Sequence, residues 1–201
     1  MKRRILSGLV ASAAACLAFG APVQAQSFLA GEFDEAIPTA TDTLGHAPGT
    51  NITSPVEMQR YLEALAEAAP DRMKIVKYGE TWEGRPLHYV IITSAANMAN
   101  IDAIKADMAN VAAGGASNGS ALPVTWLTYS VHGNEISSTD AALTMAYHML
   151  AAKGDERTQK ILDESIVIID PLQNPDGRAR FVNFFRQNTG IVPSGDRQLN
   201  S

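Results

Sequence analysis

The sequence predicts an α/β fold, in which helices pack on the faces of a β-sheet. An apolar run at residues 124–127 and a β-branched run at residues 165–170 are both typical of buried strands. Elsewhere, apolar residues recur at spacings of three and four, as in amphipathic helices. After a first helix, the segments follow the order strand, strand, helix, strand, helix, helix, strand. This alternation favours a sheet with helices on its faces.

Length and composition are those of an ordinary globular protein. The 201 residues suffice for one domain, and 46% of them are hydrophobic while 18% are charged. The formal net charge is −5. Because no basic stripe is present, we expect no nucleic-acid partner.

Residues 1–25 are typical of a secretory signal peptide. Lys2, Arg3 and Arg4 precede an apolar stretch, and Ala25 ends a small-residue cleavage site. The alternative, an uncleaved membrane anchor, is less favoured because the stretch is short for a span. We therefore expect export to the periplasm or the medium, with no stable membrane span after cleavage. Cleavage also removes the only cysteine, so the mature protein forms no disulfide.

The first half of the remaining chain predicts an arm, a helix and a hairpin. Residues 26–53 lack periodicity and predict an extended arm. A helix is expected over residues 54–69, with Ser54 or Thr53 as its cap and Pro55 in its first turn. Strands at residues 73–78 and 87–93 flank a charged turn and predict a β-hairpin.

The second half predicts the core of the sheet. A helix over residues 97–111 and a Gly/Ser-rich loop at 112–121 precede a strand at 122–129, expected in the centre of the sheet. The helix at 138–152 is apolar on nearly every side and should be buried. A short helix at 155–164 leads to the strand at 165–170, and a sharply turning segment follows it.

His132 and Glu135 follow the strand at 122–129 on a tight bend that contains Gly133. Zinc accepts imidazole nitrogen and carboxylate oxygen, and catalytic zinc usually has three protein ligands and an open position. Because open α/β sheets place their chemistry at the carboxyl ends of strands, this pair is a candidate zinc site. The alternative is a loop histidine beside a solvated glutamate. For His148 we favour a role in packing over one as a ligand, and His46 and His88 are expected to have no site role.

Three motifs carry a resemblance to a known family. They are Thr81-Trp82-Glu83-Gly84-Arg85-Pro86-Leu87, His132-Gly133-Asn134-Glu135 and Asn174-Pro175-Asp176-Gly177-Arg178. In order and spacing, the chain resembles the zinc carboxypeptidase family, the carboxypeptidase A-like metallopeptidases. The resemblance implies a mixed, largely parallel central sheet with helices on both faces. It also implies Zn²⁺ bound by His132 and Glu135, and hydrolysis of a peptide bond near a C-terminus by zinc-activated water.

Two functional residues of the family have no counterpart that we can identify in this sequence. The family's third ligand, a histidine, and its general-base glutamate do not follow Arg186 in a matching context. Where the family places a cation that polarises the substrate carbonyl, this chain has Thr189, and Arg186 is the nearest substitute. We therefore expect residues 54–201 to be the N-terminal portion of a longer domain that is incomplete at its C-terminus.

These expectations define two candidate functions. The first is a zinc metallocarboxypeptidase acting on peptides or on the peptides of peptidoglycan, with this chain inactive alone. The alternative is a non-catalytic module that binds peptides or cell wall on the same fold. Substrate preference and oligomeric state do not follow from the sequence.

Overall fold

The computed structural model describes residues 31–190. The predicted signal peptide, residues 1–25, lies outside this range. The helices and strands are, in chain order, β1 (Glu32–Phe33), α1 (Ala40–Leu44), α2 (Pro55–Ala68), β2 (Met73–Glu80), β3 (Pro86–Ile92), α3 (Ala95–Ala99), α4 (Ile101–Ala112), β4 (Val124–Thr128), α5 (Ile136–Ala151), β5 (Ala152–Lys153), α6 (Glu156–Glu164), β6 (Ile166–Asp170) and α7 (Pro175–Asn188). None of the helices in the described range is long and apolar enough to cross a membrane.

A four-stranded mixed sheet has the order β2-β3-β6-β4. The hairpin β2–β3 is antiparallel, β3 runs antiparallel to β6, and β4 runs parallel to β6. The mixed α/β architecture is thus confirmed. Among the described strands, however, the sheet is not largely parallel as expected. Only the pair β4–β6 is parallel, whereas β2–β3 and β3–β6 are antiparallel. The parallel pair β4–β6 brings the two predicted polar loops to the same edge.

One face of the sheet holds the hydrophobic core. Helices α2 and α5 pack on this face, where alternate residues of β3 and β6 are fully buried. The shared core includes Leu62, Leu65, Val90, Ile92, Leu143, Leu150, Val167 and Ile169. Local chemistry explains α2: Ser54 is its cap and Pro55 occupies the first turn, as the sequence predicts, and the structure adds a capping box between Ser54 and Glu57.

The opposite face carries a row of aromatic side chains. Tyr78 stacks on Tyr89 with ring centroids 5.8 Å apart, and Tyr89 contacts Trp126 at 5.6 Å. The Tyr78 hydroxyl donates to the Asp170 carboxylate at 2.9 Å. Burial, together with this hydrogen bond, raises the pKa of Tyr78 to about 12. Burial also raises the pKa of Asp170.

The prediction of a buried, central strand at residues 122–129 is wrong for the part of the chain described. The observed strand β4 lies at the edge of the sheet, and Trp126 is 57% exposed. Its apolar residues made it look central, but only Leu127 packs against the core. An exposed strand edge of this kind offers unpaired backbone groups to another strand.

Two further segments differ from the sequence-based expectation. The arm is not extended throughout: β1 pairs with β5, and α1 begins at a capping box formed by Thr39 and Asp42. Ile37 and Ala40 anchor it in the core. The helix predicted at 97–111 is two helices, α3 and α4, which meet at Asn100.

Candidate metal centre

The candidate site begins where β4 ends. Ser130 is buried and has a positive φ of 55°, a conformation that costs a non-glycine residue about 1–2 kcal/mol. Two hydrogen bonds hold it there. Its amide donates to the Ser138 hydroxyl at 2.8 Å, and its carbonyl accepts from the Asn174 amide at 3.2 Å. The chain is thereby turned out of the sheet immediately before His132.

His132 and Glu135 converge on this turn. His132 Nδ1 lies 3.0 Å from Glu135 Oε1, and the Glu135 amide donates to the His132 carbonyl at 3.2 Å. Helix α5 begins at Ile136, two residues earlier than predicted, so Glu135 is its N-cap residue. The Glu135 side chain makes no capping hydrogen bond, which leaves its carboxylate turned toward the imidazole.

The pair fits two positions of a zinc site. Ligand atoms around tetrahedral zinc, bonded at about 2.0–2.2 Å, lie about 3.3–3.6 Å apart. The 3.0 Å contact between the two donor atoms needs to widen by only a few tenths of an ångström. The His132 side chain is 75% exposed, so an ion can reach it from solvent. Within residues 31–190, no group of three metal-binding side chains is present.

The start of α7 supports the turn from the other side. Asn174 caps α7 by accepting from the Gly177 amide at 2.8 Å, and Pro175 occupies the first turn. A Cβ added to Gly133 would lie 2.0 Å from the Gly177 carbonyl carbon and 2.2 Å from the Arg178 nitrogen. Only glycine permits this approach, so two of the sequence motifs are in backbone contact.

A cleft of about 550 Å³ opens beside His132. Asn134 and Asn174 supply amides, and Arg180 supplies a guanidinium that also pairs with Glu83. The remaining lining consists of Gly133, Gly177, Phe181 and Phe184. The cleft therefore combines one candidate metal ligand with polar, cationic and aromatic groups.

The third motif contacts the first, at the β2–β3 turn, through Asp176. Its carboxylate accepts from the Thr81 hydroxyl at 2.8 Å, from Arg85 Nη1 at 2.6 Å and from the Glu83 amide at 3.4 Å. Partial burial opposes ionisation of Asp176, but the hydrogen bonds from Arg85, Thr81 and Glu83 outweigh it and lower its pKa. The β2–β3 turn is thus fastened to the start of α7.

The structure does not bring Arg186 to the cleft. The guanidinium of Arg186 donates to the Glu57 carboxylate at 2.9 and 3.1 Å and to the Ile52 carbonyl at 3.3 Å. It lines a different groove, next to α2. Burial disfavours the charged form of Glu57, but hydrogen bonds from Ser54 and Arg186 outweigh it and lower the Glu57 pKa. A role of Arg186 at the substrate carbonyl stays a prediction and would require this ion pair to break.

The other histidines lie elsewhere. His148 is near the C-terminal end of α5, about 18 Å along the helix axis from Ile136. Its Nε2 contacts Asp155 Oδ2 and the Thr158 hydroxyl, each at 3.2 Å. His46 Nδ1 lies 3.4 Å from the Ala47 carbonyl. The third, His88, lies in β3 opposite Lys77. None of the three is grouped with His132.

Two arginines that the structure places near the site have no predicted role: Arg178, which was named only as the end of a motif, and Arg180. Arg178 is fully buried behind Glu135, and Arg180 lines the cleft. A signal for Arg180 was present. Positions 177, 180, 181 and 184 recur at the spacing of one helix face, which predicts that their side chains share an environment.

A mixed α/β sheet with candidate metal ligands at the carboxyl ends of its parallel strands is the arrangement in which this fold class places its functional sites. A family model described as Zinc carboxypeptidase (Peptidase M14) matches residues 58–191. The chain therefore belongs to the zinc carboxypeptidase family, as the motifs predict. None of the curated proteins matches the chain significantly.

Several solved structures are similar to this one. Thrombin-activatable fibrinolysis inhibitor is 16% identical, with a TM-score of 0.50, over 66% of this chain and 28% of that chain. Carboxypeptidase A from Helicoverpa armigera is 26% identical, with a TM-score of 0.48, over 64% and 26%. A metallo-carboxypeptidase from Burkholderia cenocepacia is 19% identical, with a TM-score of 0.44, over 72% and 35%. This chain spans about a quarter to a third of their lengths. The first of these matches supports the fold.

Proposed function

We propose that the protein is a zinc-dependent metallocarboxypeptidase and that this chain supplies two of its zinc ligands, His132 and Glu135. The observation that carries the proposal is the convergence of His132 Nδ1 and Glu135 Oε1, 3.0 Å apart, at the carboxyl edge of the parallel strands. Family membership supports the choice of metal. The third ligand and the general base would come from outside the described residues.

Bound zinc would polarise the scissile carbonyl and lower the pKa of a water to about 7. The groups of this chain bind and orient the substrate around that centre. Asn134 and Asn174 offer amides to the peptide main chain, and the Arg180 guanidinium can hold a carboxylate. Phe181 and Phe184 form an apolar wall. Both ordinary peptides and peptidoglycan peptides fit these groups.

We also propose that the protein acts outside the cytoplasm, after removal of residues 1–25. The basic start, the apolar middle and the small-residue site at Ala25 support this location.

The test uses the protein as the producing cell makes it. It should release C-terminal residues from peptides, lose this activity with a chelator and regain it with Zn²⁺. His132→Ala and Glu135→Ala should each lower activity by at least about 100-fold, since each removes a ligand of the catalytic metal. The control is His148→Ala, which replaces a histidine outside the site and should retain activity. Peptide binding without hydrolysis would instead favour the non-catalytic module.

A further inference from the structure

Arg178 is an arginine with no solvent exposure, and it lies directly behind the candidate ligand turn. Its Nη1 donates to the Glu135 carbonyl at 2.9 Å, and its Nη2 donates to the Ile136 carbonyl at 3.2 Å. Its Nε donates to the Thr53 carbonyl at 2.9 Å. Three main-chain carbonyls from two segments therefore meet on one planar guanidinium.

The charge of Arg178 is balanced by Asp140. Arg178 Nη2 lies 3.2 Å from Asp140 Oδ2, and the Thr53 hydroxyl donates to the other oxygen of that carboxylate. Both Asp140 and Arg178 are buried. A buried ion pair is weak as a source of net stability, because desolvation offsets the attraction between the charges. What the Arg178 side chain provides is geometry, because the guanidinium fork fixes the directions of the carbonyls it binds.

The same residue also joins the turn through its backbone. Gly133 approaches the Gly177–Arg178 peptide so closely that a Cβ there would overlap it. The turn from His132 to Glu135 is thus held at its middle by the α7 backbone and at its end by the Arg178 side chain. Within the described residues, the Glu135 carbonyl is the only carbonyl of this turn that accepts a hydrogen bond from a charged side chain.

We propose that Arg178 is a positioning residue that fixes the Glu135–Ile136 main chain and thereby holds the Glu135 carboxylate in place beside His132. The proposal rests on the proposed function of the pair as zinc ligands. Arg178 itself touches neither metal nor substrate. Its effect on zinc would pass through the turn, as the effects of residues that orient metal ligands do.

A pair of variants separates positioning from stability. Arg178→Met leaves Asp140 buried and unpaired, so it should destabilise the protein or prevent folding. Arg178→Met combined with Asp140→Leu removes both buried charges, and such replacements are often neutral or stabilising. Arg178→Lys keeps the charge near Asp140 but cannot bind three carbonyls in one plane.

Hydrogen exchange of the full chain without metal gives the first readout. The amides of Glu135 and Ser138, which bond the His132 and Glu135 carbonyls, should exchange about tenfold faster or more in the double variant and in Arg178→Lys. The amides of Leu62 and Leu65 in α2 should be unchanged and serve as the control for folding. Unchanged exchange at Glu135 and Ser138 in either folded variant would overturn the proposal.

Zinc affinity of the protein made by the producing cell gives the second readout. The double variant should bind zinc about 10–100-fold more weakly than the unaltered protein. Wild-type affinity in a variant with a loosened turn would also overturn the proposal. The exchange measurement is made without metal. Its result therefore tests the positioning role of Arg178 even if the protein proves not to use zinc.

Discussion

Gly133 shows how closely two sequence motifs depend on each other at the scale of one residue. A Cβ added to Gly133 would clash with a backbone atom of Gly177, only 2.0 Å away. Backbone atoms cannot rotate away from such a clash as a side chain can. Gly133→Ala should therefore lower the free energy of unfolding by about 3 kcal/mol or more, the upper range for overpacking. Urea denaturation followed by circular dichroism measures this loss.

Gly79→Ala is the matched control for this substitution. A Cβ at Gly79 would meet only the Leu87 side chain, at an ordinary 3.7 Å. Its free energy of unfolding should stay within about 0.5 kcal/mol of the unaltered protein. Equal stability of the two variants would show that the ligand turn yields easily and is not held by α7.

At the same scale, only partners that lie close together in the sequence could be predicted. His132 and Glu135 could be predicted as a pair because they are three residues apart. The partners of Arg178 and Arg186 could not, because Thr53 and Glu57 lie more than a hundred positions earlier in the chain. Such partners become neighbours only through packing of α2 against α7.

At the scale of elements, Asp176 couples the β2–β3 turn to α7. Asp176→Asn removes the charge that Arg85 and Thr81 bind. A carboxyl whose pKa is lowered by folding stabilises the fold above its unfolded pKa, near 3.8, and loses that effect as the pH falls through its folded value. The variant should therefore be less stable than the unaltered protein at pH 7, and this difference should shrink below about pH 3.8. Urea denaturation at several pH values measures it.

Asp71→Asn provides the comparison, because Asp71 is exposed and lies outside this network. Its stability difference from the unaltered protein should be small at every pH. A difference for Asp176→Asn that stays constant from pH 7 to pH 3 would mean that the carboxylate charge does not fasten the turn.

Elements whose signals are local were predicted well. The capping box and Pro55 specify the start of α2, and the alternating strands specify the hairpin. Boundaries set by tertiary contacts were not. At the start of α5, Arg178 binds the carbonyls of Glu135 and Ile136, and the break at Asn100 follows no glycine or proline.

At the scale of the whole molecule, the affinity for zinc depends on how many protein side chains bind the ion. The proposed ligands within residues 31–190, His132 and Glu135, are one fewer than the three that catalytic zinc sites usually have. Calorimetric titration of the chain from Gln26 should show zinc binding far weaker than the roughly 10–16 kcal/mol of structural zinc sites. His132→Ala should abolish what binding there is, whereas His148→Ala should not change it. Tight one-to-one binding lost in both variants would show that His148 completes the site.

The fold class could be predicted from the sequence because apolar periodicity and element order are written along the chain. The position of β4 could not. A run such as residues 124–127 has the same apolar character in the centre of a sheet and at its edge, and only the pairing with β6 on one side distinguishes them.

The aromatic residues outside the core have a spectroscopic consequence. The sequence contains two tryptophans, and both are exposed in the structure: Trp82 fully, at the β2–β3 turn, and Trp126 by 57%, at the sheet edge. Indole emission of the native protein will therefore resemble that of indole in water and change little on unfolding. The same emission will respond when a molecule covers either the β2–β3 turn or the β4 edge. Tryptophan fluorescence is thus a natural reporter of docking at two separate surfaces.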